Sequence, residues 1–193
     1  DPVRADHIPK GGAVMERLRR FIWYLAGRLF LLLTLLSLFT VTFYYAMNAT
    51  NIYIVLKDGM AKRAQVIMME EDASELTKFF QSSYLQRDQN LQIALEGKSP
   101  YTYYTVRGID HRLKMTWMWC WPWDTTARAE FTETIPRIDE RVKSSSADAA
   151  RALYGDGFEY PPKWQGGRYA ATLVKENGQW HVRSLTLLAQ VDE

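Results

Sequence analysis

Cysteine is almost missing from this chain: Cys120 is the only one in 193 residues, so no internal disulfide staples the fold, and a buried thiol is the simplest expectation. Histidine is scarce too. The three, His7, His111 and His181, lie far apart with no HExxH, CxxC or paired spacing, which leaves a metal site without support. GxGxxG, phosphate-loop and GxSxG patterns are absent, so nucleotide and serine-hydrolase chemistry lack their sequence marks and no cofactor is expected. Charge of one sign is lacking as well: 24 Lys plus Arg stand against 22 Asp plus Glu, a net charge of +2. Nucleic acid is therefore not an expected partner. At 47% hydrophobic and 24% charged residues the chain is not disordered as a whole, and its length fits one domain plus an appendage.

What the chain does have is a long apolar run. Phe21 to Ala46 reads FIWYLAGRLFLLLTLLSLFTVTFYYA, and Leu29 to Met47 carries no charge. A helix rises about 1.5 Å per residue, so such a run covers the roughly 30 Å hydrocarbon core of a bilayer. Trp23 and Tyr24 at one end and Tyr44 and Tyr45 at the other are placed as interfacial aromatics, and Arg28 is near enough to the end to snorkel. Lys10, Arg17, Arg19 and Arg20 precede the span, and the first basic residue after it is Lys57. That asymmetry predicts a cytoplasmic tail over 1–20, a single transmembrane helix over 21–47 in the cell membrane, and an extracytoplasmic remainder. The run is too long for a signal-peptide core of roughly 7 to 15 residues. Asn48-Ala49-Thr50 matches a glycosylation sequon but abuts the membrane, and is read as accidental.

Beyond the span, Asp58-Gly59 between IYIVL and AQVIM predicts a hairpin in a juxtamembrane stalk over 48–71. Asp72 followed by Glu75 and by Leu76, Phe79, Phe80, Tyr84 and Leu85 predicts a helix from about Ala73 to Arg87. Ile109, His111, Leu113, Met115, Trp117, Trp119 and Trp121 then alternate with polar or smaller residues, the period of a half-buried strand. A turn at Pro122-Trp123-Asp124 leads to a second strand bearing Ala127, Ala129, Phe131 and Glu133, expected to pair as an antiparallel hairpin. Pro136 to Gly167 reads as an inserted loop with a short helix at ADAARALY, its charges Arg137, Asp139, Glu140, Arg141 and Lys143 forming a solvated face. Asn177-Gly178 marks a tight turn between the last two strands. The outer domain, 72–193, is thus expected to be α+β.

One helix followed by antiparallel strands and a final hairpin LVKENGQWHV, with Gly178 and Trp180, is similar to the cone-shaped roll of the nuclear transport factor two-like superfamily, also called SnoaL-like or cystatin-like. The likeness covers roughly Asp72 to Gln190. A cytoplasmic tail, one span and such a roll resembles the bitopic assembly component of type IV secretion and conjugation machines. That resemblance implies a non-enzymatic scaffold that contacts other envelope subunits; the span itself adds the lipid bilayer as a partner, and a homo-oligomer is a further expectation. The stalk hairpin and the long 136–167 segment depart from the pattern.

Two constellations carry the remaining functional expectations. His111 falls on the Trp-rich face of its strand and Glu133 on the matching face of the next, diagonal to it if the hairpin closes symmetrically about Trp123. Rolls of this kind sometimes use ionisable groups on the concave face as general acid or base, so these two are the catalytic candidates of an isomerase-like or small-molecule-binding alternative; a structural pair is the plainer reading. Trp117, Trp119, Trp121 and Trp123 crowd into seven residues. Core packing absorbs about two of them, so Trp121 and Trp123 at the turn are expected to dock on a partner, a second copy or lipid.

Overall fold

A computed structural model of the chain describes residues 11–191, with side chains from Met15 onward. His7 and Lys10, and with them half of the expected tail, lie outside the described residues. The chain divides into two compact units, Asp1–Tyr44 and Tyr45–Glu193.

Helix α1 runs unbroken from Gly11 to Met69. In the first unit its apolar side chains are exposed throughout, Phe30 and Phe39 among them. Its threonines are satisfied locally: Thr34, Thr40 and Thr42 donate their hydroxyls to the carbonyls of Phe30, Leu36 and Leu38 at 2.8–2.9 Å. Such back-bonding lets a hydroxyl sit in an apolar medium without an open hydrogen bond. Arg28 lies over the Tyr24 ring at 5.0 Å. By length and composition this helix can cross a membrane.

In the second unit the same helix becomes one-sided. Asn48, Ile52, Leu56, Met60, Ala64 and Ile67 recur at three- and four-residue intervals and are buried. The hairpin expected around Asp58-Gly59 does not form; both residues lie inside the helix. Gly59 has a packing reason to be there. A Cβ on it would stand 2.8 Å from the Cβ of Phe79, so the glycine lets the following segment press against the helix backbone. The helix ends at Met69, and Glu70 takes a left-handed conformation with φ 55°.

The helix expected over 73–87 is broken into a 3-10 turn at Ala73–Lys78 and a short α2 at Ser82–Leu85, followed by α3 at Gln89–Leu95. The break has a cause. Gln81 N–H donates to Val182 O at 2.9 Å and Val182 N–H to Phe79 O at 2.7 Å, so Phe80 is bridged to Val182 and the chain here caps a sheet edge.

Four strands form an antiparallel sheet in the order β2 (Arg112–Trp119), β3 (Thr126–Thr134), β5 (Gly166–Glu176), β6 (Gln179–Val191). Asn177 and Gly178 turn between β5 and β6 with φ 51° and 83°, the positive angles such a turn needs. The segment 136–167 is more ordered than an inserted loop: β4 (Ile138–Val142) pairs antiparallel with β1 (Tyr104–Ile109), and α4 (Ala147–Tyr154) follows. Asp139, Glu140 and Arg141 therefore ride on a strand, with Glu140 half-buried, and Arg137 and Lys143 flank it. The result is an α+β fold whose core joins Ile52, Leu56 and Met60 of α1 to Phe80, Phe131, Leu173 and Val182.

Candidate functional site

Strand β3 builds the first site. Its inward positions are Ala127, Ala129, Phe131 and Glu133, so a carboxylate takes its place in an apolar stripe. Across the hairpin Leu113 pairs with Glu133 and Met115 with Phe131, the register of closure about Trp123. That register brings His111 Nε2 to 3.0 Å from Glu133 Oε1, with side-chain exposures of 6% and 0%. On the other side β5 comes close: Gly167 pairs with Glu133, and a Cβ on Gly166 would lie 3.0 Å from the Glu133 carbonyl. Glu133 Oε2 has no hydrogen-bond partner among the described residues.

A second buried pair, not anticipated from the sequence, lies nearby. Arg63 on α1 donates Nε to Asp88 Oδ2 at 2.5 Å and Nη2 to Oδ1 at 2.9 Å, a bidentate pair out of solvent. Asp88 also caps α3 through the Leu91 N–H. Burial opposes both charges, but the hydrogen bonds and mutual attraction outweigh it, holding the guanidinium above and the carboxyl below their ordinary ranges. Burial raises the Tyr84 and Tyr169 hydroxyls; the negative charges of Asp88 and Glu133 respectively add to this. One sequence signal marks Arg63: it interrupts the buried stripe of α1.

Two cavities lie beside this cluster, and neither is lined by His111 or Glu133. The larger, about 840 Å³, is walled by Arg137, Glu140, Tyr160, Lys163, Trp164 and Gln190. The smaller, about 360 Å³, takes Arg63, Tyr101 and Tyr169 into its wall. Tyr101 and Tyr104 hold the rim, donating their hydroxyls to Pro162 O at 3.0 Å and to the carbonyls of Phe158 and Tyr160 at 3.0 and 3.1 Å. Burial pushes Tyr101 up to about 12. Burial, with Asp139 beside it, also raises the Glu140 carboxyl.

The tryptophans depart from the expected alternation. Between Met115 and Trp117 the pairing shifts by one residue, so Met118 pairs with the buried Ala129 and faces inward, and Cys120 is buried. Trp117 and Trp119, expected on the buried face, are each 47% exposed, Trp121 is 43% and Trp123 68%. Trp119 and Trp121 meet edge to face at 5.1 Å, and Trp121 stacks on Trp123 at 5.2 Å. Tyr45 touches Trp119 ring to ring at 6.5 Å, and Asn48 Nδ2 donates to Pro122 O at 3.3 Å. Asn48 is buried in a helix with its amide so engaged, which leaves the sequon no exposed acceptor. Trp23, Tyr24 and Tyr44 are exposed on α1 in the first unit.

Comparison with protein families, with curated proteins and with solved structures finds no match to this chain.

Proposed function

We propose that this protein is a non-enzymatic, single-pass membrane protein whose outer α+β domain, folded as a nuclear transport factor two-like roll, is an interaction subunit of a bacterial cell-envelope complex of the secretion or conjugation type. Its N-terminus is cytoplasmic, as the basic residues before the span require. The observation that carries the non-enzymatic reading is the placement of His111 and Glu133. They are paired to each other and line neither cavity, whereas a general acid or base must reach a substrate proton. The membrane part of the reading is supported by the uncovered apolar stretch of α1 and its back-bonded threonines.

A membrane-tethered small-molecule binder is the second reading, and one observation favours it. Glu140 Oε2 and Trp164 Nε1, in the walls of the larger cavity, are buried without hydrogen-bond partners among the described residues. Crosslinking in intact membranes, followed by detergent solubilisation and mass spectrometry of the full chain, separates the two. Recovery in a defined complex with other envelope subunits is expected; recovery only as a lone monomer would overturn the scaffold.

A further inference from the structure

We infer that the tryptophan turn, Trp117 to Trp123, is a second membrane contact, seated in the headgroup layer of the bilayer that α1 crosses; this rests on the reading of α1 as a span. Its height is set by Tyr45 and Asn48, the residues that hold the turn. The apolar stretch Leu29–Met47, closed by the polar run Asn48-Ala49-Thr50-Asn51, has its midpoint at Leu38, and Tyr45 and Asn48 follow seven and ten residues later in the same unbroken helix. At about 1.5 Å per residue these positions are roughly 10 and 15 Å along the axis from the midplane, where a hydrocarbon core about 30 Å thick gives way to headgroups. Trp119, in contact with Tyr45, and Pro122, held by Asn48, are therefore placed near that boundary.

The chemistry of the turn suits that layer. Indoles are enriched at the membrane boundary because a large apolar ring carries one N–H that can stay hydrogen-bonded. Four of them are exposed here side by side, where a water-facing turn would carry polar residues. Arg128, the exposed partner of Trp119 across the hairpin, adds a cation of the kind that pairs with lipid phosphate. Trp121 N–H to Asp124 Oδ2 at 3.3 Å and Asp124 N–H to Trp121 O at 3.1 Å close the turn, so the rings are presented on a fixed loop.

The test uses the full chain in liposomes of mixed zwitterionic and anionic phospholipid, with Cys120→Ala and one nitroxide label at a time at Trp123→Cys, Leu38→Cys or Ser145→Cys. Depth is read from the ratio of oxygen to aqueous nickel-complex collisions. The expected order is Leu38 deepest, Trp123 intermediate and severalfold above Ser145, and Ser145 aqueous. A deep Leu38 label with an aqueous Trp123 label overturns the turn's membrane contact while the span stands. A deep Leu38 label with a Trp123 label shielded from both colliders means a protein partner or second copy covers the turn, and also overturns it. An aqueous Leu38 label removes the span and the proposal together. Should the labelled chain fail to fold, the Trp23→Phe chain gives the same answer without labels: brominated phospholipids quench its emission strongly if the turn is in the headgroup layer, and leave it unchanged if it is not.

Discussion

Asn48 of α1 and Pro122 of the tryptophan turn are joined by a side-chain amide to backbone hydrogen bond of 3.3 Å, with the asparagine buried. One polar residue at the start of a largely apolar helical stripe thus fixes where a distant turn rests. Asn48→Leu keeps the branched four-atom side chain and removes the donor, leaving the Pro122 carbonyl unpaired. A loss of about 1 kcal/mol is expected, at the low end of the cost of an orphaned buried acceptor. Thermal unfolding of the full chain in detergent measures it, and an unchanged midpoint would mean that Tyr45 alone holds the turn.

Gly59→Ala should destabilise the outer unit by about 1–3 kcal/mol, although alanine is the better helix former by about 1 kcal/mol. The new methyl meets the Cβ of Phe79 at 2.8 Å, an atom that cannot swing aside as a side-chain tip can. Denaturant titration of the outer unit's tertiary signal checks this; a gain in stability would mean that the 79–81 segment yields easily.

The Arg63–Asp88 pair makes two linked predictions. Arg63→Met leaves Asp88 buried and unpaired and should cost about 3–5 kcal/mol, whereas Arg63→Met with Asp88→Asn should cost much less, because asparagine still caps α3. The Asp88 carboxyl titrates lower in the folded chain than the unfolded value of about 3.9. Its contribution to stability is therefore complete above that value and is lost as pH falls through the lower folded one. Below about pH 4 the natural chain should lose stability more steeply than the double variant, as acid titrations followed by circular dichroism would reveal.

Trp121→Ala with Trp123→Ala should leave the thermal midpoint nearly in place, since both rings are exposed and lose only their mutual stacking and the edge contact with Trp119, about 0.5–1.5 kcal/mol for each pair at most. Association with membrane or partner should weaken. A collapse of folding would show that the rings support the hairpin itself.

Cys120 should resist alkylation in the folded chain and react at once in denaturant, because burial both blocks the thiol and raises its pKa. Mass spectrometry after timed iodoacetamide treatment distinguishes the two rates.

The parts of this fold legible in the sequence are those set by neighbours in the chain. Asn177-Gly178 turned where its backbone preference demanded, and the hairpin register that pairs His111 with Glu133 followed from alternation and a Pro-Trp-Asp turn. Distant contacts decided the rest. Asp58-Gly59 carries every local mark of a turn, yet the glycine serves a helix because Phe79 needs its space. Phe79 and Phe80 keep helical spacing, but Val182 draws them into strand-like pairing. Arg63 and Asp88 lie 25 positions apart and become partners only when α3 folds against α1.

The shift after Met115 acts as a change of phase within a single strand. Before it, odd-numbered residues belong to the interior; after it, even-numbered ones do. Pairing that ran regularly through Thr116 would turn three indoles toward the space now filled by Met118 and Cys120, whereas deleting Thr116 would remove the shift and leave Met118 and Cys120 inward. That one-place shift separates a hairpin that packs its aromatics away from one that displays them.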